Sequence, residues 1–156
     1  MTIYWAHLEN RAVLKVTGAE CEDFLQNLVT QDVTRAQPQA AALLTPQGKL
    51  AFDFILQPVE DGFLIDCAAD SAEAFVKKLN LYKLRRDVEI AVTELPVQVV
   101  WSDPTDTQEF EIERFFEDPR SACLGLRCLG ACPADLSDYT ASSAQNWAKF
   151  RLSLGV

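Results

Sequence analysis

The chain has 156 residues, 49% hydrophobic and 24% charged, enough apolar material for one domain or two small lobes with a real core. A formal charge of −9 and a pI near 4.5 disfavour attraction to nucleic acid or to an anionic membrane surface, so direct binding to either is not expected. No apolar run approaches the roughly 20 residues of a membrane span. The start, Met1-Thr2-Ile3-Tyr4-Trp5, lacks the basic and apolar regions of a signal peptide, and a cytoplasmic chain is expected.

Ile3 to Leu8 and Ala12 to Thr17 read as two strands joined by a turn at Glu9-Asn10-Arg11. Thr17 with Glu20 has the spacing of a capping box. Cys21, Phe24, Leu25 and Leu28 follow at helical intervals, predicting a helix that ends near Val29. Ala40 to Thr45, Lys49 to Leu56 and Phe63 to Ala68, separated by turns at Pro46-Gln47-Gly48 and Glu60-Asp61-Gly62, predict an antiparallel meander. Asp70 and Glu73 then open a second helix with the stripe Ala72, Phe75, Val76 and Leu79.

Val88 to Val92 and Val97 to Trp101 read as strands broken by Pro96, whereas Phe110 to Phe116 is ambiguous. Glu117-Asp118-Pro119-Arg120 reads as a turn and Leu124 to Arg127 as a strand. Ser142 with Gln145 predicts the cap of a last helix carrying Ala144, Trp147 and Ala148, with Arg151 on the same stripe reaching the edge of the core. This order predicts an α+β architecture of antiparallel sheets with flanking helices, in one domain over 1–156 or in two lobes at about 1–94 and 95–156.

Five scattered cysteines fit free thiols rather than a disulfide framework. Cys123, Cys128 and Cys132 match no common zinc or ferredoxin spacing, so no metal site is expected. The single histidine, His7, has no nucleophile in an interpretable local motif. The residue that stands out is Asp53, a carboxylate between Phe52 and Phe54 in T-P-Q-G-K-L-A-F-D-F. Alternation sends it to the face opposite those phenylalanines. There it meets water, a partner or a ligand, because a buried unpaired carboxylate costs several kcal/mol.

Gly18 to Val33, G-A-E-C-E-D-F-L-Q-N-L-V-T-Q-D-V, resembles the YgfZ-type folate-binding proteins, relatives of the glycine cleavage T-protein, an aminomethyltransferase. A-L-L-T-P-Q-G-K-L-A-F-D-F from Ala42 and Y-K-L-R-R-D-V-E-I from Tyr82 extend the resemblance, which is looser over Asp118-Pro119-Arg120, Leu124 to Arg127 and Trp147 to Val156. The resemblance implies a scaffold that binds tetrahydrofolate or a derivative, with Asp53, Gln47, Gly48 and Arg85 as folate-side residues. It also implies a role in assembling or repairing iron–sulfur clusters in client enzymes, including some that modify tRNA, with iron–sulfur client or assembly proteins as partners.

Phe52-Asp53 stands where the T-protein carries an acidic pair, so the resemblance favours an accessory factor. A folate-dependent aminomethyltransferase and an inactive folded fragment are the alternatives. The family's downstream K-G-C-Y-x-G-Q-E motif does not occur before Val156, and the chain is expected to be the N-terminal portion of a longer protein, incomplete at its C-terminus.

Overall fold

The computed structural model describes residues 1–105, 111–132 and 134–156. Its elements run β1 (Ile3–His7), β2 (Arg11–Thr17), α1 (Cys21–Gln26), β3 (Gln39–Leu44), β4 (Leu50–Val59), β5 (Gly62–Ala68), α2 (Ala72–Lys83), β6 (Glu89–Val92), β7 (Val97–Ser102), β8 (Phe116–Glu117), β9 (Leu126–Leu129), β10 (Thr140–Ala141) and α3 (Ala144–Ser153). They form two compact units, one of Arg11–Glu94 and one of Met1–Asn10 with Leu95–Val156.

In the Arg11–Glu94 unit the strand order is β3-β4-β5-β2-β6, antiparallel throughout. Strand alternation gathers Leu14, Val16, Phe54, Leu56, Phe63 and Ile65 on one face, where Phe24 and Leu25 of α1 and Phe75 and Leu79 of α2 complete the core. Phe75 stacks on Phe52 at 4.5 Å between ring centroids and tilts against Phe54 at 5.1 Å. The opposite face carries Asp53, Ile55 and Gln57 of β4, with Val13 and Asp66 in register beside Ile55.

Two expectations fail here for tertiary reasons. The Thr17–Glu20 capping box does not form, because Thr17 stays in β2 opposite Gly62 and Glu89, and the Glu20 carboxylate instead accepts the backbone N–H of Asp87 at 2.6 Å. The first helix stops at Gln26 rather than near Val29, which leaves to bridge Leu43. β4 also runs past Leu56 to Val59. Its pairing with β3 ends at Gln39–Leu56, so Pro58 sits where a missing N–H is tolerated.

In the other unit the order is β10-β1-β7-β9-β8, antiparallel except for the parallel β1–β10 pair. α3 lies on the Trp101 face of β7, with Trp147 and Phe150 at 5.2 and 6.0 Å from the Trp101 ring. Its cap is Ser143, whose hydroxyl accepts the Asn146 N–H at 3.1 Å, one residue later than the spacing of Ser142 and Gln145 predicts. Arg151 is half-buried, and its guanidinium donates to the Val156 carbonyl at 2.6 Å at the helix end.

Phe116 enters β8, while Phe110 lies outside the described residues. β9 starts at Leu126 rather than Leu124, after a single helical turn over Ala122–Leu124. Gly125 links them at φ +81, where a Cβ would stand 2.3 Å from the Val100 carbonyl oxygen, so only glycine fits. The segment read as a turn at Asp118 holds a buried ion cluster. Asp118 Oδ1 accepts from Arg120 Nε at 2.9 Å, and Oδ2 accepts from Arg120 Nη2 at 2.6 Å and Arg127 Nε at 3.2 Å.

Candidate functional site

The helix-free face of the β3-β4-β5-β2-β6 sheet concentrates polar groups around an apolar centre. Burial falls along β4 from Ile55, which is buried, to Asp53, which is exposed. Beside Ile55 lies Asp66 of β5, fully buried, its Oδ1 accepting from Arg11 Nε at 2.6 Å while Arg11 Nη2 donates to the Asp66 carbonyl at 2.9 Å. On β4, two residues beyond Ile55, Gln57 holds its side-chain carbonyl oxygen buried without a hydrogen-bond partner among the described residues. The exposed Asp53 carboxylate suits a ligand with N–H donors, while Arg11, itself a donor, is engaged by Asp66.

Cys67 alternates to the core face, where burial pushes its thiol up to about 11 against the opposing pull of Arg11, with Asp66 and Asp53 adding to the rise. It is no nucleophile for the polar face. Cys123 is the exposed cysteine. Iodoacetamide at pH 8 is expected to modify Cys123 first and to leave Cys21, Cys67 and Cys128 unreacted in the folded chain, as read by peptide mass mapping. Rapid labelling of Cys67 would contradict its placement. Among the described residues, no group of three or more His, Cys, Asp and Glu side chains is arranged to hold a metal ion.

The sequence-derived residues do not all converge. Gln47 and Gly48 form the tip of the β3–β4 hairpin, closed by Thr45 N–H to the Lys49 carbonyl at 2.7 Å and Gly48 N–H to the Thr45 carbonyl at 2.9 Å. At about 3.3 Å per residue that tip is roughly 16 Å along the strand from Asp53. Arg85 follows α2, whose Phe75 covers the face opposite Asp53, and is exposed. Its neighbours serve the local fold: Lys83 donates to the Val88 carbonyl and Arg86 to Asp23, both at 2.9 Å. Asp53 thus lies on the sheet face that carries Gln57 and Asp66, whereas Gln47 and Gly48 sit at the hairpin tip and Arg85 follows α2. The signal for Asp66 was present in F-L-I-D-C-A, where an acid interrupts an apolar strand as Asp53 does.

This fold is a partial form of the aminomethyltransferase T fold. The solved glycine cleavage system aminomethyltransferase T from Bartonella henselae superposes with a TM-score of 0.58 at 17% identity, over 64% of this chain and 28% of that protein. Curated relatives narrow the class. The mitochondrial iron–sulfur cluster assembly factor IBA57 of Mus musculus is 28% identical over 96% of this chain and 49% of its own length, and that of Homo sapiens 29% over 80% and 43%. The IBA57 homologue of Coccidioides immitis is 30% identical over 61% of this chain and 27% of its own.

The chain's curated relatives are thus IBA57 iron–sulfur cluster assembly factors, and it spans about half their length or less. No protein-family model matches it. These relatives are mitochondrial, which overturns the cytoplasmic placement expected from the N-terminal residues. A start unlike a secretory signal carried no information on that compartment. Among the described residues no helix is long and apolar enough to cross a membrane.

Proposed function

We propose that the chain is the folate-binding portion of an accessory factor that supports iron–sulfur cluster assembly or repair in client enzymes, tRNA-modifying ones included. Asp53 carries this reading. It is the exposed carboxylate of a face that also holds the Arg11–Asp66 pair, and a pterin ring offers N–H donors that a carboxylate accepts. Phe52 is committed to the core against Phe75, so an acid at that position would not share the face of Asp53. That favours a binding factor over an aminomethyltransferase needing two adjacent acids.

Titration with a reduced folate is expected to show saturable binding that Asp53→Asn weakens about tenfold, the loss of a charge-assisted hydrogen bond. Equal affinity of the two chains removes Asp53 from the site. In cells lacking the protein, iron–sulfur enzyme activities are expected to fall and to return with the wild-type gene but not with Asp53→Asn. Unchanged activities in the deletion would reject the assembly role.

A further inference from the structure

We propose that the C-terminal end of α2 is a docking surface for an acidic segment of a partner protein, one bearing both carboxylates and apolar side chains. Leu84 carries this inference. Its backbone stands at φ +53 and ψ −113, the first central position of a turn closed by the Arg86 N–H to the Lys83 carbonyl at 3.0 Å. Those angles belong to the mirror-image II′ geometry, which glycine ordinarily fills because a Cβ is strained there. The Leu84 side chain is nevertheless 82% exposed, so the core of its unit gains almost nothing from it. A strained backbone and an exposed apolar side chain are two costs at one position, and such costs gather where a surface meets a partner.

The surroundings of Leu84 define that partner. Leu81, 66% exposed, and Lys77 lie one turn apart on the α2 face opposite the buried Phe75 and Leu79. Lys77, Lys78, Lys83, Arg85 and Arg86 are five of the chain's 14 cations, and no Asp or Glu interrupts residues 77–86. Lys83 and Arg86 are engaged within the unit and Lys78 lies over the Tyr82 ring at 5.4 Å, whereas Lys77 and Arg85 are exposed. Leucines alone accept any apolar surface; the cations select one that carries carboxylates. The net charge of −9 favours a protein segment over an anionic membrane. A bilayer is an extended charged plane that also meets the acidic remainder of the chain, while a short segment feels the cations within a screening length of about 8–10 Å. Asp53, Gln57 and Asp66 take no part in this surface, so the inference does not rest on the folate reading.

The probe is a fluorescein-labelled amphipathic helical peptide of Leu, Ala and Glu, with control peptides in which Ser replaces Leu or Gln replaces Glu. Anisotropy titration with the full chain is expected to show saturable binding of the probe, at least tenfold tighter than of either control. The double variant Lys77→Gln, Arg85→Gln is expected to weaken it at least tenfold. Leu84→Gly is expected to weaken it at least fivefold while raising the urea midpoint read by far-UV circular dichroism, because glycine relieves the strained turn. A midpoint no higher than that of the wild type would show Leu84 serving its own fold and overturns the proposal. So do equal binding of the three peptides, no binding of any at the solubility limit, or an affinity unmoved by these variants. Cosedimentation with phosphatidylserine vesicles in place of probe binding would assign the surface to a membrane, and displacement of the probe by saturating reduced folate would assign it to the folate tail. Either result also overturns the proposal.

Discussion

Asp118→Ala is expected to lower the unfolding free energy of its unit by about 3–5 kcal/mol, the usual result of breaking a buried ion pair from one side. Asp118 is 2% exposed and Arg127 1% exposed, so the substitution removes the carboxylate that both Arg120 and Arg127 contact in a place water does not reach. The chain's tryptophans, Trp5, Trp101 and Trp147, all lie in the same unit, so urea unfolding followed by tryptophan fluorescence isolates the effect. A loss below about 1 kcal/mol would mean that the cluster is incidental to stability.

The same cluster fixes an acid limb. Burial favours the neutral form of Asp118, but the hydrogen bonds from Arg120 and the charges of Arg127 and Arg120 outweigh it, and the carboxyl is held below its ordinary value. A depressed folded-state pKa stabilises above the unfolded value, near about 3.9, and that contribution drains away as pH falls through the folded value. Wild-type stability should therefore drop below about pH 4, with a shallower slope in Asp118→Asn.

Phe75→Ala is the second large effect, about 3–5 kcal/mol in the Arg11–Glu94 unit. Phe75 is fully buried and touches both Phe52 and Phe54, so its removal opens a cavity beneath the strand that carries Asp53. No tryptophan lies in this unit, so hydrogen exchange of β4 and β5 amides is the appropriate measure, and unchanged protection there would contradict the packing described.

The alternation Leu50 to Leu56 was legible as sequence because period-two patterning is local, and it assigned Phe52, Phe54 and Asp53 to the faces they occupy. α2 was legible for the same reason, through Phe75 and Leu79. The capping box misled because Thr17 is claimed by two neighbouring strands, and Glu20 by an amide 67 residues away. Such non-local competition leaves no trace in a short window. Asp118 was read as a turn acid; its burial follows from Arg127, which only the pairing of β8 with β9 brings alongside. At the candidate site Asp53 was found by its conflict with its neighbours. Arg11 and Gln57, ordinary near a turn and before a proline, acquire meaning only once β2, β4 and β5 lie side by side.

The division of the chain has a consequence for its biosynthesis. Residues Arg11–Glu94 are contiguous and contain every strand of their sheet, so this unit has all its partners once that segment has left the ribosome. β1 is made before that segment yet pairs with β7 and β10, the nearest of which begins at Val97. The strand Ile3–His7 thus emerges before the Arg11–Glu94 unit and waits, its edges unpaired, until that unit has been made. Slowing elongation between Glu94 and Val97 should lengthen the interval in which Ile3–His7 is open to chaperones and to misassembly, while leaving the unit already made largely unaffected.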